Sequence, residues 1–116
     1  MTPANALRAY AQAADLRSDR VREAELFLRV NATLRHAQES GPLARAKALA
    51  DVTRLWSAVV DAVRDPQNQL AAPLKASIVS VGLAVQREAA NADADFDFII
   101  AVNENMAGGL SAPVAG

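Results

Sequence analysis

The chain has 116 residues, which fits one domain, and a net charge of −1, which excludes a whole-protein basic field for nucleic acid. It contains no cysteine, which excludes disulfides, a thiol nucleophile and a thiolate metal site. Apolar residues make up 52% and aromatics only 4%; alanine supplies much of the difference, which favours packed helices over a sheet.

In chain order, Thr2 caps a short first helix with Pro3 at its first position. "ANALRAYAQAA" then sets Leu7, Tyr10, Ala11 and Ala14 at helical spacing. "DLRSDR" interrupts that pattern, and Ser18 is expected to cap a second helix reaching about Glu39. Phe27, Val30, Leu34 and Ala37 form its apolar stripe, and Gly41-Pro42 stops it. A third helix is expected over Leu43 to Arg64, with Leu49, Val52, Trp56, Val59 and Val63 facing a core. "DPQNQLAAP" is the clearest break, because Pro66 biases Asp65 out of the helical region.

A fourth helix runs from Pro73 to about Ala90. Its ten residues from Ala76 to Val85 are uncharged, too short a run for the about 20 a membrane span needs. A helix apolar on all sides is expected in a core; the other reading gives one face to the core and another to a partner. Gly82 within it suits a site of close helix approach. "NADAD" is a turn, and Asp93 is expected to cap a fifth helix ending near Gly108-Gly109. Phe98, Val102 and Met106 mark the expected stripe of that helix, with Phe96, Ile99 and Leu110 close to it. The expected fold is therefore all-α, a compact bundle of four to five short helices. Residues 1–110 form the domain and 111–116 a frayed tail.

Little in the chain suggests catalysis. His36 is the single histidine and lies among charged neighbours. Asp93, Asp95, Asp97 and Glu104 match positions 1, 3, 5 and 12 of a calcium loop, but Phe98 stands where the sharp turn wants glycine. Acidic residues at a helix start explain the same letters. Ser57, Ser77 and Ser80 lack a glycine-flanked elbow, and no glycine-rich phosphate loop exists. No enzyme, metal or cofactor is expected.

Charge is uneven along the chain. Met1–Arg64 carries ten basic against seven acidic residues, +3, and Asp65–Gly116 carries two against six, −4. Arg17, Arg20, Arg22, Arg29 and Arg35 cluster, but Asp15, Asp19, Glu23 and Glu25 interleave with them and cancel most of the field an RNA would need. The start of the chain does not read as a secretory signal, so the cytosol is the expected location.

Several segments in order resemble the FlaF family of flagellar biosynthesis proteins. They are "AYAQAA" followed by "REAELFLRVNATLRHA", then "RLWSAVV", "QLAAPLKASIVSVGLAVQREA" and "FIIAVNENMAGGL", together covering about Ala9 to Leu110. The chain departs from the family pattern at Ala84, near a common second tryptophan, and at Glu104, where a basic residue often follows the asparagine. The resemblance implies a cytosolic flagellin-binding adaptor or export chaperone, needed for flagellin synthesis and secretion, with the terminal helices of flagellin as client. The alternative is an RNA-binding regulator of flagellin expression, or one associated with the regulator FlbT. Tyr10, Phe98 and Met106 are the apolar residues expected to remain for a partner after core packing. Trp56, Arg54 and Asn103 match the family motif: Trp56 is expected to anchor the core, and Arg54 and Asn103 to satisfy helix ends or rim a groove.

Overall fold

The computed structural model describes residues 3–111, without the side chains of Pro3, residues 12–18 and Ser111. Thr2 as a cap and the tail after Ser111 lie outside the described residues. Within them the fold is four helices: α1 (Pro3–Ala37), α2 (Gly41–Arg64), α3 (Ala72–Ala89) and α4 (Phe96–Ser111).

The expected first and second helices are one. α1 runs for 35 residues through "DLRSDR" without a break. No glycine or proline stands between Ala4 and Ser40, so nothing there forces the chain out of helical geometry. Ser18 in a helix interior costs only about 0.5 kcal/mol, far less than breaking a helix and starting another. Asp19 and Arg22 pair across one turn at 2.6 Å and support the segment locally. α1 stops where Ser40 Oγ–H turns back to the carbonyl of His36 and Gly41 takes φ +89, a left-handed conformation that favours glycine.

α2 buries Ala48, Val52, Leu55, Trp56, Val60 and Val63 along one face, with Leu49 and Val59 at its edge. It ends at Asp65, which is extended ahead of Pro66, and the Asp65 carboxylate accepts the backbone N–H of Gln67. Pro73 sits in the first turn of α3, as expected. α4 begins later than expected. Asp95, not Asp93, is its cap: the Asp95 carboxylate accepts the N–H of Phe98, while the N–H of Asp93 is held by the Asn91 side chain. α4 also continues through Gly108 and Gly109 to Ser111. Its buried stripe is Phe96, Ile99, Ile100, Asn103 and Ala107, one step round from the expected one, which leaves Phe98 43% exposed.

The helices form a four-membered bundle with unequal seams. α1 packs along α4, α2 along α3, and α1 along α2; α3 barely touches α4. The core holds Trp56, whose ring meets Phe27 edge-on at 5.6 Å, together with the fully buried Leu34, Val52, Val85 and Ile99. Arg45 lies over the ring of Phe96 at 4.4 Å.

α3 is not the all-round core helix that its composition suggests. Only Gly82, Val85 and Ala89 are buried, and Leu74, Val81 and Leu83 stay exposed. Gly82 sets its approach to α2. A Cβ there would lie 2.6 Å from Val60 Cγ2 and 3.1 Å from the Trp56 ring. Gly108, by contrast, has nothing within 4 Å of such a Cβ. Gly108→Ala is therefore expected to stabilise by up to about 1 kcal/mol through helix propensity. Gly82→Ala is expected to destabilise by about 1 kcal/mol net, overpacking outweighing the same propensity gain. Paired urea denaturation curves measure both signs.

Candidate functional site

The site has a rigid interior and an open end. The interior is a chain of buried amides. Trp56 Nε1–H donates to Asn103 Oδ1 at 2.9 Å, Asn103 Nδ2 donates to Asn31 Oδ1 at 2.9 Å, and Asn31 Nδ2 donates to the Ile100 carbonyl at 3.1 Å. Trp56 and both asparagines are fully buried. The chain of bonds ties α2 to α4 and α4 to α1. Asn103 thus neither ends a helix nor rims a groove; it accepts from one helix and donates to another. Among the described residues no buried side-chain nitrogen or oxygen lacks a partner.

Asn31 was not singled out in the sequence. Its signal was there: a polar residue directly after Val30 on the stripe that leads to Leu34.

The open end is where α1 enters the bundle, α2 and α4 finish and α3 begins. Because α3 and α4 meet poorly, the four helices leave a groove of about 310 Å³ there. α1 supplies Leu26 and Phe27, α2 supplies Leu55, Val59 and Val63, α3 supplies Ile78, and α4 supplies Met106 and Leu110. Leu70, from the connection after α2, closes one side. Glu23 and Asn68 are the polar groups of the lining. Leu26 is 44% exposed and Leu70 40%, so the groove is open to solvent.

The sequence-predicted residues divide by location. Met106 lines the groove. Tyr10 stands on the N-terminal part of α1, away from the core and 71% exposed. Phe98 lies two turns before Met106 on α4, on its outer side. Arg54 lines a separate depression between α1 and α2 and pairs with Asp51. Trp56 and Asn103 lie in the interior.

Some polar groups of the surface join one helix to another or cap a helix end. Arg35 of α1 pairs with Glu104 of α4, Gln38 Nε2 reaches Asp97 at 3.3 Å, and the N–H of Asp95 donates to Glu88. Of the carboxylates that matched a calcium loop, Asp95 caps α4, and Asp97 and Glu104 bridge it to α1. Among the described residues no three histidines or carboxylates gather as metal ligands, and no helix is long and apolar enough to cross a membrane. The chemistry available is apolar burial in a preformed groove with a polar lip.

A family model described as flagellar protein FlaF matches residues 6–110. No curated protein and no solved structure matches the chain.

The buried amide chain makes a prediction of its own. Asn103→Ala strands the Trp56 indole N–H and the Asn31 carbonyl together, and is expected to cost about 3 kcal/mol or more. Asn31→Ala strands the Asn103 Nδ2 and takes one donor from the Ile100 carbonyl, which as a residue inside α4 keeps its helical bond, and is expected to cost less. Chemical denaturation followed by the fluorescence of Trp56, the single tryptophan, measures the order.

Proposed function

The chain belongs to the FlaF family of flagellar proteins, and from that premise we propose that it is a cytosolic flagellin-binding adaptor that serves as an export chaperone. The observation that carries the reading is the apolar groove at the open end of the bundle. Flagellin termini are amphipathic helices that are exposed before assembly. A groove with apolar walls on four helices fits the apolar stripe of such a segment. Covering that stripe prevents self-association of the client while leaving its polar face in water. Binding and release need no catalysis.

Met106 is the sequence-predicted residue that this reading places against the client, with Leu26, Leu70 and Leu110 beside it. Trp56 and Asn103 serve it from inside, by holding α1, α2 and α4 at the spacing that keeps the groove open. The regulator reading by direct RNA contact has less support. It needs arginines facing outward without acidic neighbours, and Arg22, Arg35 and Arg54 each sit against a carboxylate.

Calorimetric titration with flagellin, at low and high salt, tests the proposal. The expected result is binding with little salt dependence and a negative heat-capacity change. Leu70→Asp and Met106→Ala are expected to weaken it about tenfold or more at unchanged helical content. Binding that collapses with salt, or that ignores both substitutions, would remove the groove from the account.

A further inference from the structure

The seam between α1 and α2 stays open beyond the groove. α1 packs more closely on α4 than on α2, and a second depression of about 390 Å³ lies between α1 and α2. It meets the groove across Leu26, Leu55 and Ala58, which line both. The two together make one trough. Glu23 of α1 and Val63 of α2 stand at its open end, and Thr33 of α1 and Asp51 of α2 at the other. These limits are ten residues apart on α1 and twelve on α2. At 1.5 Å per residue the trough is therefore about 15 to 18 Å long.

Its character changes along that length. The walls of the groove are mostly apolar. The second depression keeps an apolar floor, with Val30 and Leu55 both buried, but its rim is charged by Arg29, Arg54 and Asp51. Arg54 pairs with Asp51 along α2. Among the described residues the Arg29 guanidinium has no ion-pair partner. Glu25, one turn earlier on α1, is outside the lining and does not pair with it. Thr33 Oγ1–H turns back to the carbonyl of Arg29 at 3.2 Å. Two guanidiniums against one carboxylate leave this end with one positive charge in excess.

A ligand that suits both halves has an apolar stripe and a negative group at one end of it. Over this length an amphipathic helix offers about three turns, with apolar residues along one face. An extended peptide of equal length has only about five residues and turns alternate side chains away.

We propose that the client site spans both depressions and takes an amphipathic helix of about three turns, with an aspartate or glutamate of the client against Arg29. The proposal rests on the flagellin-binding reading above and adds a selectivity contact to it. Apolar burial alone accepts any amphipathic helix. Arg29 favours one whose apolar stripe ends at an acid, and opposes one with a basic residue there.

Calorimetry with flagellin on the full chain reads the charge contact. Arg29→Glu is expected to weaken binding about fivefold or more, and Arg29→Lys to leave it within about twofold. The salt dependence stays shallow, because a single exposed ion pair is involved. Arg29 is exposed, and circular dichroism checks that the helices persist. The chain has no cysteine, so Glu23→Cys and Thr33→Cys each carry one photo-crosslinker at one end of the trough. The two labels are expected to capture flagellin residues about ten positions apart, with an aspartate or glutamate within one turn of the residue captured at position 33. Changing that acid to lysine is expected to restore binding to the Arg29→Glu variant. Capture at position 23 alone, or binding that needs Met106 but ignores Arg29→Glu, overturns this proposal and leaves the groove reading standing. Absence of flagellin binding overturns both.

Discussion

The bond from the Trp56 indole to Asn103 is the constraint on which the rest of the structure depends. A buried indole N–H without a partner costs a large share of a small domain's stability. Asn103 satisfies it, and then must satisfy its own amide, which it does through Asn31. Asn31 in turn finds the Ile100 carbonyl. Each step removes a freedom. Rotating α4 by one residue, or sliding α1 by one turn, would leave polar atoms stranded in an apolar interior. The hydrophobic stripes alone tolerate such shifts; the amide chain does not.

Trp56 also decides how the fourth face is built. Its ring fills the space against which α3 must pack, and only the missing side chain at Gly82 lets α3 come close. That contact anchors α3 to α2 and gives it little reason to meet α4. The poorly filled seam between α3 and α4 follows, and with it the groove at the open end. The apolar side chains along that seam are partly wet, which a monomer tolerates when they are scattered but which favours a partner when they line one concave surface.

The ion pairs on the surface play a smaller part. Arg35 with Glu104 and Arg54 with Asp51 are exposed, and such pairs are worth little in water. Their consequence is electrostatic: they use up arginines that would otherwise present a basic face. The N-terminal part of α1 is the exception in burial, since Leu7 and Tyr10 on it are each 71% exposed.

Much of this was legible in the letters. The helical class, the breaks at Gly41-Pro42 and Asp65-Pro66, the stripes from Phe27 to Ala37 and from Val52 to Val63, and the special place of Gly82 all follow from local rules of spacing, capping and backbone conformation. Local rules misjudged "DLRSDR", because a capping residue signals a helix start only where something else ends the previous helix, and nothing there does. They put the start of α4 at Asp93 because three aspartates in "NADADFD" compete for one cap, and tertiary contacts chose: Glu88 holds the N–H of Asp95 and leaves its carboxylate for Phe98. They could not separate core from surface, because Val85 and Val81 are the same residue at neighbouring turns of one helix. Which of them is buried depends on how α3 leans, and that is decided by Gly82 against Trp56. The sequence by itself determined which segments are helical and which of their residues are apolar. Only the tertiary structure decided which apolar residues find partners within the chain, because burial is a property of how helices pack and not of any helix alone.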